Sequence, residues 1–377
     1  MSTKKSVYLD HNATTPVRPE AIAAITDALT LEGNPSSIHA AGRAAKAVME
    51  KARDQIAMAT GASTAEVVFT SGGTEANGAT LKGSGAKYLV VSATEHDSII
   101  SGAEATGLPV HVIPVNGAGL LDLGVLKAVL AREGAGGLVS VMLANNETGV
   151  VQPIRTIADI ARDHGAKVHC DAVQALGKIQ VDVTALGVDY LSVSAHKIGG
   201  PKGVGALIVR AGLDIAPLVT GGGQEKGRRS GTENLIGIAG FGAAASVVDA
   251  SLQHMHSLKT LRDAMEAKLL AIAPQAVVFG QDADRLPNTT CIGMPGVRNE
   301  LQVMAFDLEG LCISAGSACS SGKVASSHVL AAMHVDDAIG GNAIRISLGW
   351  NTQSAEVDKM VKAWEEIYQR QASKAAQ

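Results

Sequence analysis

Aromatic side chains are scarce in this sequence: Phe, Tyr and Trp make up 3% of 377 residues. The core must therefore be built from Ala, Val, Leu and Ile. The four cysteines, Cys170, Cys291, Cys312 and Cys319, share no CxxC spacing, which argues against a structural zinc site, and no intrinsic metal is expected. No uncharged apolar run approaches the roughly 18 residues that a membrane span needs. The opening Met1-Ser-Thr-Lys-Lys runs into Asp10 and His11 rather than an apolar stretch, so no signal peptide is expected. An excess of one charge is missing as well. Lys and Arg number 32 against 36 Asp and Glu, a net −4, and nucleic acid is not an expected partner. These absences point to a reduced, cytoplasmic chain without a membrane partner.

What is present is an ordinary globular composition. The chain is 46% apolar and 18% charged, which excludes a disordered polypeptide. Its 42 glycines follow no G-x-y period, which excludes collagen and assigns many of them to turns. From residue 65 to 210, β-branched runs alternate with Ala-rich helical stretches. The runs are Glu66–Thr70, Tyr88–Ser92, Val110–Val115, Leu138–Leu143, Lys167–Cys170, Tyr190–Ser194 and Gly205–Val209. This pattern predicts an α/β fold: a mostly parallel seven-stranded sheet flanked by helices. Beyond residue 235 longer helical segments alternate with short strands at Ala276–Phe279, Thr289–Met294 and Ala343–Ser347. That reads as a smaller α+β domain. The expected division is 15–250 for the large domain and 1–14 plus 251–377 for the small one.

In parallel sheets ligands sit at the carboxyl ends of strands. Five such ends here deliver polar residues of different kinds. They are Ser71-Gly-Gly-Thr74 opening a helix, Glu95-His96, Asn145-Asn146, Asp171-Ala-Val-Gln174 and Ser194-Ala-His-Lys197. Each alone reads as an ordinary turn residue, and a lone His96 as a partly buried core histidine. Together they supply what pyridoxal 5'-phosphate requires: a lysine for the Schiff base, an acid for the pyridinium nitrogen and donors for the phosphate. Lys197 takes the first role, with Lys202 as its rival within Gly-Pro-Lys-Gly. Asp171 takes the second. His96 would lie against the ring, and Asn146 and Gln174 near its phenolic oxygen. Gly73, Thr74, Ser194 and His196 would cradle the phosphate.

Further segments join these: Tyr8-Leu-Asp-His-Asn-Ala-Thr-Thr-Pro16, Asn34-Pro-Ser-Ser37, Thr70-Ser-Gly-Gly-Thr-Glu75, Asn145-Asn-Glu-Thr-Gly149 and Arg229-Ser-Gly-Thr-Glu-Asn234. With them the sequence resembles the cysteine desulfurases, class-V aminotransferase-like enzymes of fold type I. The resemblance runs from about residue 6 to 350. It implies conversion of L-cysteine to L-alanine through quinonoid and ketimine stages, with the sulfur left as a persulfide on an enzyme cysteine. It also implies a homodimer in which Thr232 reaches the partner's phosphate. The sulfur would pass to an acceptor protein, such as an iron–sulfur scaffold or a sulfur relay. Two departures stand out. Gly200 replaces the aromatic or histidine of many relatives, and Asp97-Ser98 follows His96 where a small apolar continuation is usual.

Cys170, Cys291 and Cys312 fall in apolar runs and read as buried thiols. Cys319 differs, because Ser314-Ala-Gly-Ser-Ala-Cys-Ser-Ser-Gly-Lys323 is a small-residue segment that suits an exposed, moving thiolate. It is the expected sulfur nucleophile and the group that would transiently contact an iron–sulfur cluster. Arg345, alone in Ala343-Ile-Arg-Ile-Ser347, is the expected clamp for the substrate carboxylate. Asn34 and His11 are further candidates for that pocket. The rival functions are a selenocysteine lyase or aminotransferase of the same fold, or a catalytically silent sulfur-carrier scaffold.

Overall fold

The computed structural model describes residues 6–316 and 327–375. The chain opens with a two-residue strand, β1 (Val7–Tyr8), followed by the helices α1 (Pro19–Leu29) and α2 (Ala40–Thr60). It then alternates: β2 (Val67–Thr70), α3 (Gly73–Gly83), β3 (Tyr88–Ser92), α4 (Asp97–Glu104), β4 (Val110–Ile113), α5 (Leu123–Glu133) and β5 (Gly137–Met142). The pattern continues through α6 (Ile154–Asp163), β6 (Lys167–Asp171), α7 (Val183–Leu186), β7 (Tyr190–Ser194) and β8 (Gly205–Val209). The helices α8 (Leu235–Ala245) and α9 (Val248–Ile272) lead into the remainder. That part comprises β9 (Val277–Val278), β10 (Thr289–Gly293), α10 (Asn299–Leu308), β11 (Leu311–Cys312), β12 (Ser314–Ala315), α11 (His328–Ala332), α12 (Asp337–Gly340), β13 (Ala343–Ser347) and α13 (Ser354–Ala375).

Strands β2 to β8 form one seven-stranded sheet in the order β2-β8-β7-β6-β5-β3-β4. Only β8 runs against its neighbours; the ladders among β3 to β7 are parallel. The carboxyl ends of β2, β3, β5, β6 and β7 therefore share one edge, as the sequence predicts. Both faces are covered, so the strands read as continuous apolar runs rather than alternating ones. Val90, Val139 and Val141 pack on the side of Ile56, Ile157 and Phe241. Their neighbours Leu89, Val91 and Leu138 pack on the other side with Ala76 and Ile99.

Scarcity of aromatics is met by close helix packing. Helix α8 packs against α1 and α2, and a Cβ added to Gly242 would lie 2.5 Å from Ala52 Cα. The two backbones approach so closely that only hydrogen fits between them. Among the described residues no single helix is long and apolar enough to cross a membrane. Helices α8 and α9 meet that criterion only as a pair bent by 55°, and most of α8 is buried.

A second sheet, β12-β13-β10-β9, is antiparallel. It shares an apolar cluster with α9, α10 and α13, centred on Leu258, Leu269, Ile292, Phe306, Ile344 and Trp364. The first segment joins it: β1 pairs with β11, Leu9 enters the same cluster and Asp10 bridges to Ser347. The chain then turns back, so that residues 11–15 lie between the two sheets, against the strand-end edge of the first.

Candidate active site

Five strand ends converge on a cavity of about 210 Å³. The β2 end supplies a glycine turn and the first residues of α3, so Gly73 and Thr74 form one wall. A Cβ on Gly73 would meet Val173 Cγ2 at 2.8 Å, which keeps this helix N-terminus bare. Ser71 N–H donates to Glu75 Oε2 at 2.9 Å, and Glu75 pairs with Arg229 at 2.9 Å, so the turn is braced from the 229–234 segment. Ser194 and His196, from the β7 end, complete the wall. The same four residues border a second opening of about 450 Å³ that also includes Lys202. Burial and the neighbouring Lys197 and Lys202 charges push His196 down to about 4.

Asp171 closes β6 and is 7% exposed. Its Oδ1 accepts Val173 N–H at 2.9 Å and its Oδ2 accepts the Asn77 side-chain amide at 2.8 Å. Behind it lies Glu95, fully buried, with Oε1 accepting Met142 N–H at 2.8 Å. Burial raises the Glu95 carboxyl well above its ordinary range, and the Asp171 charge adds to this. One wall thus holds an ionisable carboxylate in front of a group that favours its proton.

Lys197 follows the β7 end in a short 3₁₀ turn. Its Nζ donates to the carbonyls of Asn12, at 2.5 Å, and Ala13, at 2.9 Å. Burial and then the Arg345 charge lower its pKa to about 8, while Asp10 and Asp171 oppose them. His96, exposed rather than a core histidine, caps α4 and lines the cavity. Asn146 and Gln174 line it too. Gln174 gives its amide hydrogen to Asn12 O at 2.8 Å and accepts from Lys178 at 2.7 Å.

The sequence profile of the class-V aminotransferases matches residues 7–360. A cysteine desulfurase of Cereibacter sphaeroides is 43% identical over 368 residues, covering 94% of each chain. The chain belongs to the class-V aminotransferase family. A cysteine desulfurase IscS of Dictyoglomus turgidum is 39% identical, with 97% of this chain and 95% of that one covered. The crystallised NifS-like protein of Rickettsia africae superimposes with a TM-score of 0.90 at 39% identity, covering 97% of this chain and 99% of that one. The fold is that of the fold-type-I enzymes dependent on pyridoxal phosphate.

The cavity fits that cofactor by its chemistry: bare helix N-terminus and hydroxyls for phosphate, Asp171 for a ring nitrogen, and an amine of lowered pKa for a carbonyl. Other expected residues lie elsewhere. Asn34 does not reach the cavity. It is exposed, its Oδ1 accepts Ser36 N–H at 2.8 Å, and Pro35 and Ser36 border a different hollow with Arg53 and Glu225. Thr232 lines a separate cleft with Arg229. His11 is buried behind Lys197, hydrogen-bonded to Thr15 at 2.5 Å, and burial drives it down to about 4. Arg345 is 1% exposed and does not stand alone: it pairs with Asp10 at 2.7 Å and donates to Asn146 O at 3.1 Å. Cys170 and Cys291 are buried, but Cys312 is only half-buried, because β11 pairs on one side only with short β1. Cys319 lies outside the described residues. A Cβ on Gly200 would sit 2.9 Å from Ala195 Cβ, which accounts for glycine there.

Sequence reasoning missed Asn12, Asn77 and Lys178. Asn12 is 1% exposed and receives hydrogen bonds at its carbonyl from Lys197 and Gln174 and at Oδ1 from Lys178 and Asn288. Its amide donates to Asn146 O and Thr289. Its place inside Tyr8–Pro16, beside His11, was the available signal.

Proposed function

We propose that the chain converts L-cysteine to L-alanine with pyridoxal phosphate held at the five strand ends, and that Cys319 takes the sulfur. The observation that carries this is the convergence of Lys197, Asp171 and His96 on one cavity bounded by a bare helix N-terminus, in a chain about 40% identical to cysteine desulfurases. The cofactor, when bound, supplies an electron sink for the pair released as bonds at the substrate's α-carbon break.

The remaining work belongs to side chains. Lys197 Nζ, lowered to about 8, is a neutral amine in a useful fraction near neutral pH, able to attack a carbonyl and to take a proton from an α-carbon. Asp171 would hold a proton on the ring nitrogen. Thr74, Ser194 and the α3 N-terminus would bind the phosphate, and His96 would lie against the ring. Arg345, presented by β13 and already held by Asp10, orients the substrate carboxylate. Sulfur transfer balances without an external oxidant: the substrate Cβ–S bond breaks, an S–S bond forms on Cys319, and the products are alanine and a persulfide. A later thiol releases the sulfur as sulfide or passes it to an acceptor protein. We assign residues 15–250 to cofactor binding and 1–14 with 251–377 to the smaller unit, supported by the separate apolar clusters. A homodimer, with Thr232 contributed across the interface, completes the site. Three described cysteines carry no disulfide, which suits the cytoplasm.

Incubation with L-cysteine and a reductant should yield alanine and sulfide in equal amounts. Pyruvate or a transferred amino group in place of alanine would overturn the reading.

A further inference from the structure

His96 caps α4 with its own ring: Nδ1 accepts the Ser98 backbone N–H at 3.1 Å. A neutral imidazole nitrogen that accepts from an amide carries no hydrogen, so the ring proton sits on Nε2. Ser98 Oγ lies 2.9 Å from the same Nδ1 and 2.9 Å from Asn77 Nδ2. The other hydrogen of that amide goes to Asp171 Oδ2 at 2.8 Å. A carboxylate oxygen only accepts, which fixes the end of Asn77 that faces it. Asn77 then donates into Ser98 Oγ, and the Ser98 hydroxyl is left to donate to His96. Every bond direction in this row is set outward from Asp171.

We propose that Ser98 is a positioning residue: it holds His96 as the Nε2–H tautomer and ties the imidazole to Asp171 through Asn77. The inference rests on the cysteine desulfurase reading of the cavity. Ser98 itself lines that cavity. The buried Asn77 Oδ1 has no partner among the described residues, where the amide is held by its two N–H bonds. Loss of the Ser98 hydroxyl removes one of them and leaves Nδ1 with a single donor. His96 Nε2, which makes no hydrogen bond among the described residues, is then the donor available to a group in the cavity that gains negative charge.

Selective ¹⁵N-histidine labelling of the full chain, with His96 assigned through His96→Gln, reports the tautomer with and without cofactor. The wild-type ring should show Nε2–H. Ser98→Ala should shift the tautomer ratio toward Nδ1–H by roughly fivefold, the worth of one net hydrogen bond. Its kcat for alanine release should fall by a similar factor at unchanged KM. Ser98→Thr, which keeps a hydroxyl, should restore both. A wild-type ring protonated on Nδ1, or a Ser98→Ala ring indistinguishable from wild type, would overturn the proposal. Wild-type protein that makes no alanine, yet shows the tautomer shift in Ser98→Ala, would refute the desulfurase reading and leave the role of Ser98 standing.

Discussion

Lys197 is an amine in a place that disfavours its charge. The buried site and Arg345 hold its pKa at about 8, against an ordinary value near 10.4 in the unfolded chain. Below about pH 8 the folded, cofactor-free protein must bury a charged ammonium. That penalty shrinks as pH rises from 8 toward the unfolded value, because the unfolded state binds more protons there. Lys197→Met should therefore raise the Tm of cofactor-free protein at pH 7, and the gain should fade by pH 10. A Tm difference that is flat across this range would show the amine to be unperturbed. Asp171 is a carboxylate held in place by Val173 N–H and the Asn77 amide. Asp171→Asn should keep some bound cofactor yet slow exchange of the substrate α-proton about a hundredfold, the usual scale of preorganised charge. Near-normal exchange in the variant would reduce Asp171 to a structural cap on β6.

At the scale of elements, helix α3 and the α2–α8 contact matter most. The first carries the proposed phosphate cradle; the second lets a core with few aromatics reach close packing. Gly242→Val places methyl groups where Ala52 Cα and Gln55 already stand. Overpacking of this kind costs about 1–3 kcal/mol, so the urea midpoint should fall while the mutant still folds. An unchanged midpoint would mean that α8 can move aside freely. The same packing explains what the sequence concealed. The strands were legible because doubly covered parallel strands are continuous β-branched runs: Tyr88–Ser92, Tyr190–Ser194 and Gly205–Val209 match the observed strands residue for residue. Helix α2 was not legible, although it spans 21 residues. Its buried face is largely Ala45, Ala52 and Ala57 with Met49 and Ile56, and an alanine stripe gives little contrast with its polar side. At the site, strand-end residues could be read because topology alone gathers them. Asn12 could not, since its partners span residues 146 to 347 and only the folded chain brings them together.

At the scale of the whole molecule, residues 7–15 join the two sheets, and the Asn12 and Ala13 carbonyls hold Lys197. Asn12 is the joint. Asn12→Leu would take one of two acceptors from Lys178, which keeps Gln174, and from Asn288, which keeps the Leu348 carbonyl; each hydrogen bond lost costs about 0.5–1.5 kcal/mol. The variant should lose both stability and cofactor affinity, read by thermal melting and by loss of absorbance near 410–420 nm. Retention of both would show that the joint is redundant. The Asp10–Arg345 pair links the same segment to β13 at 2.7 Å. The central claim is that this cavity breaks the carbon–sulfur bond of cysteine and passes the sulfur to Cys319. The most direct measurement is mass mapping of protein given L-cysteine without reductant, with alanine counted in parallel. Wild type should release alanine and gain one sulfur atom, about 32 Da, on the peptide containing Cys319. Cys319→Ala should still bind cofactor and change its spectrum on adding cysteine, yet release no alanine. Sulfur found on Cys170, Cys291 or Cys312, or full alanine release by the variant, would contradict the account.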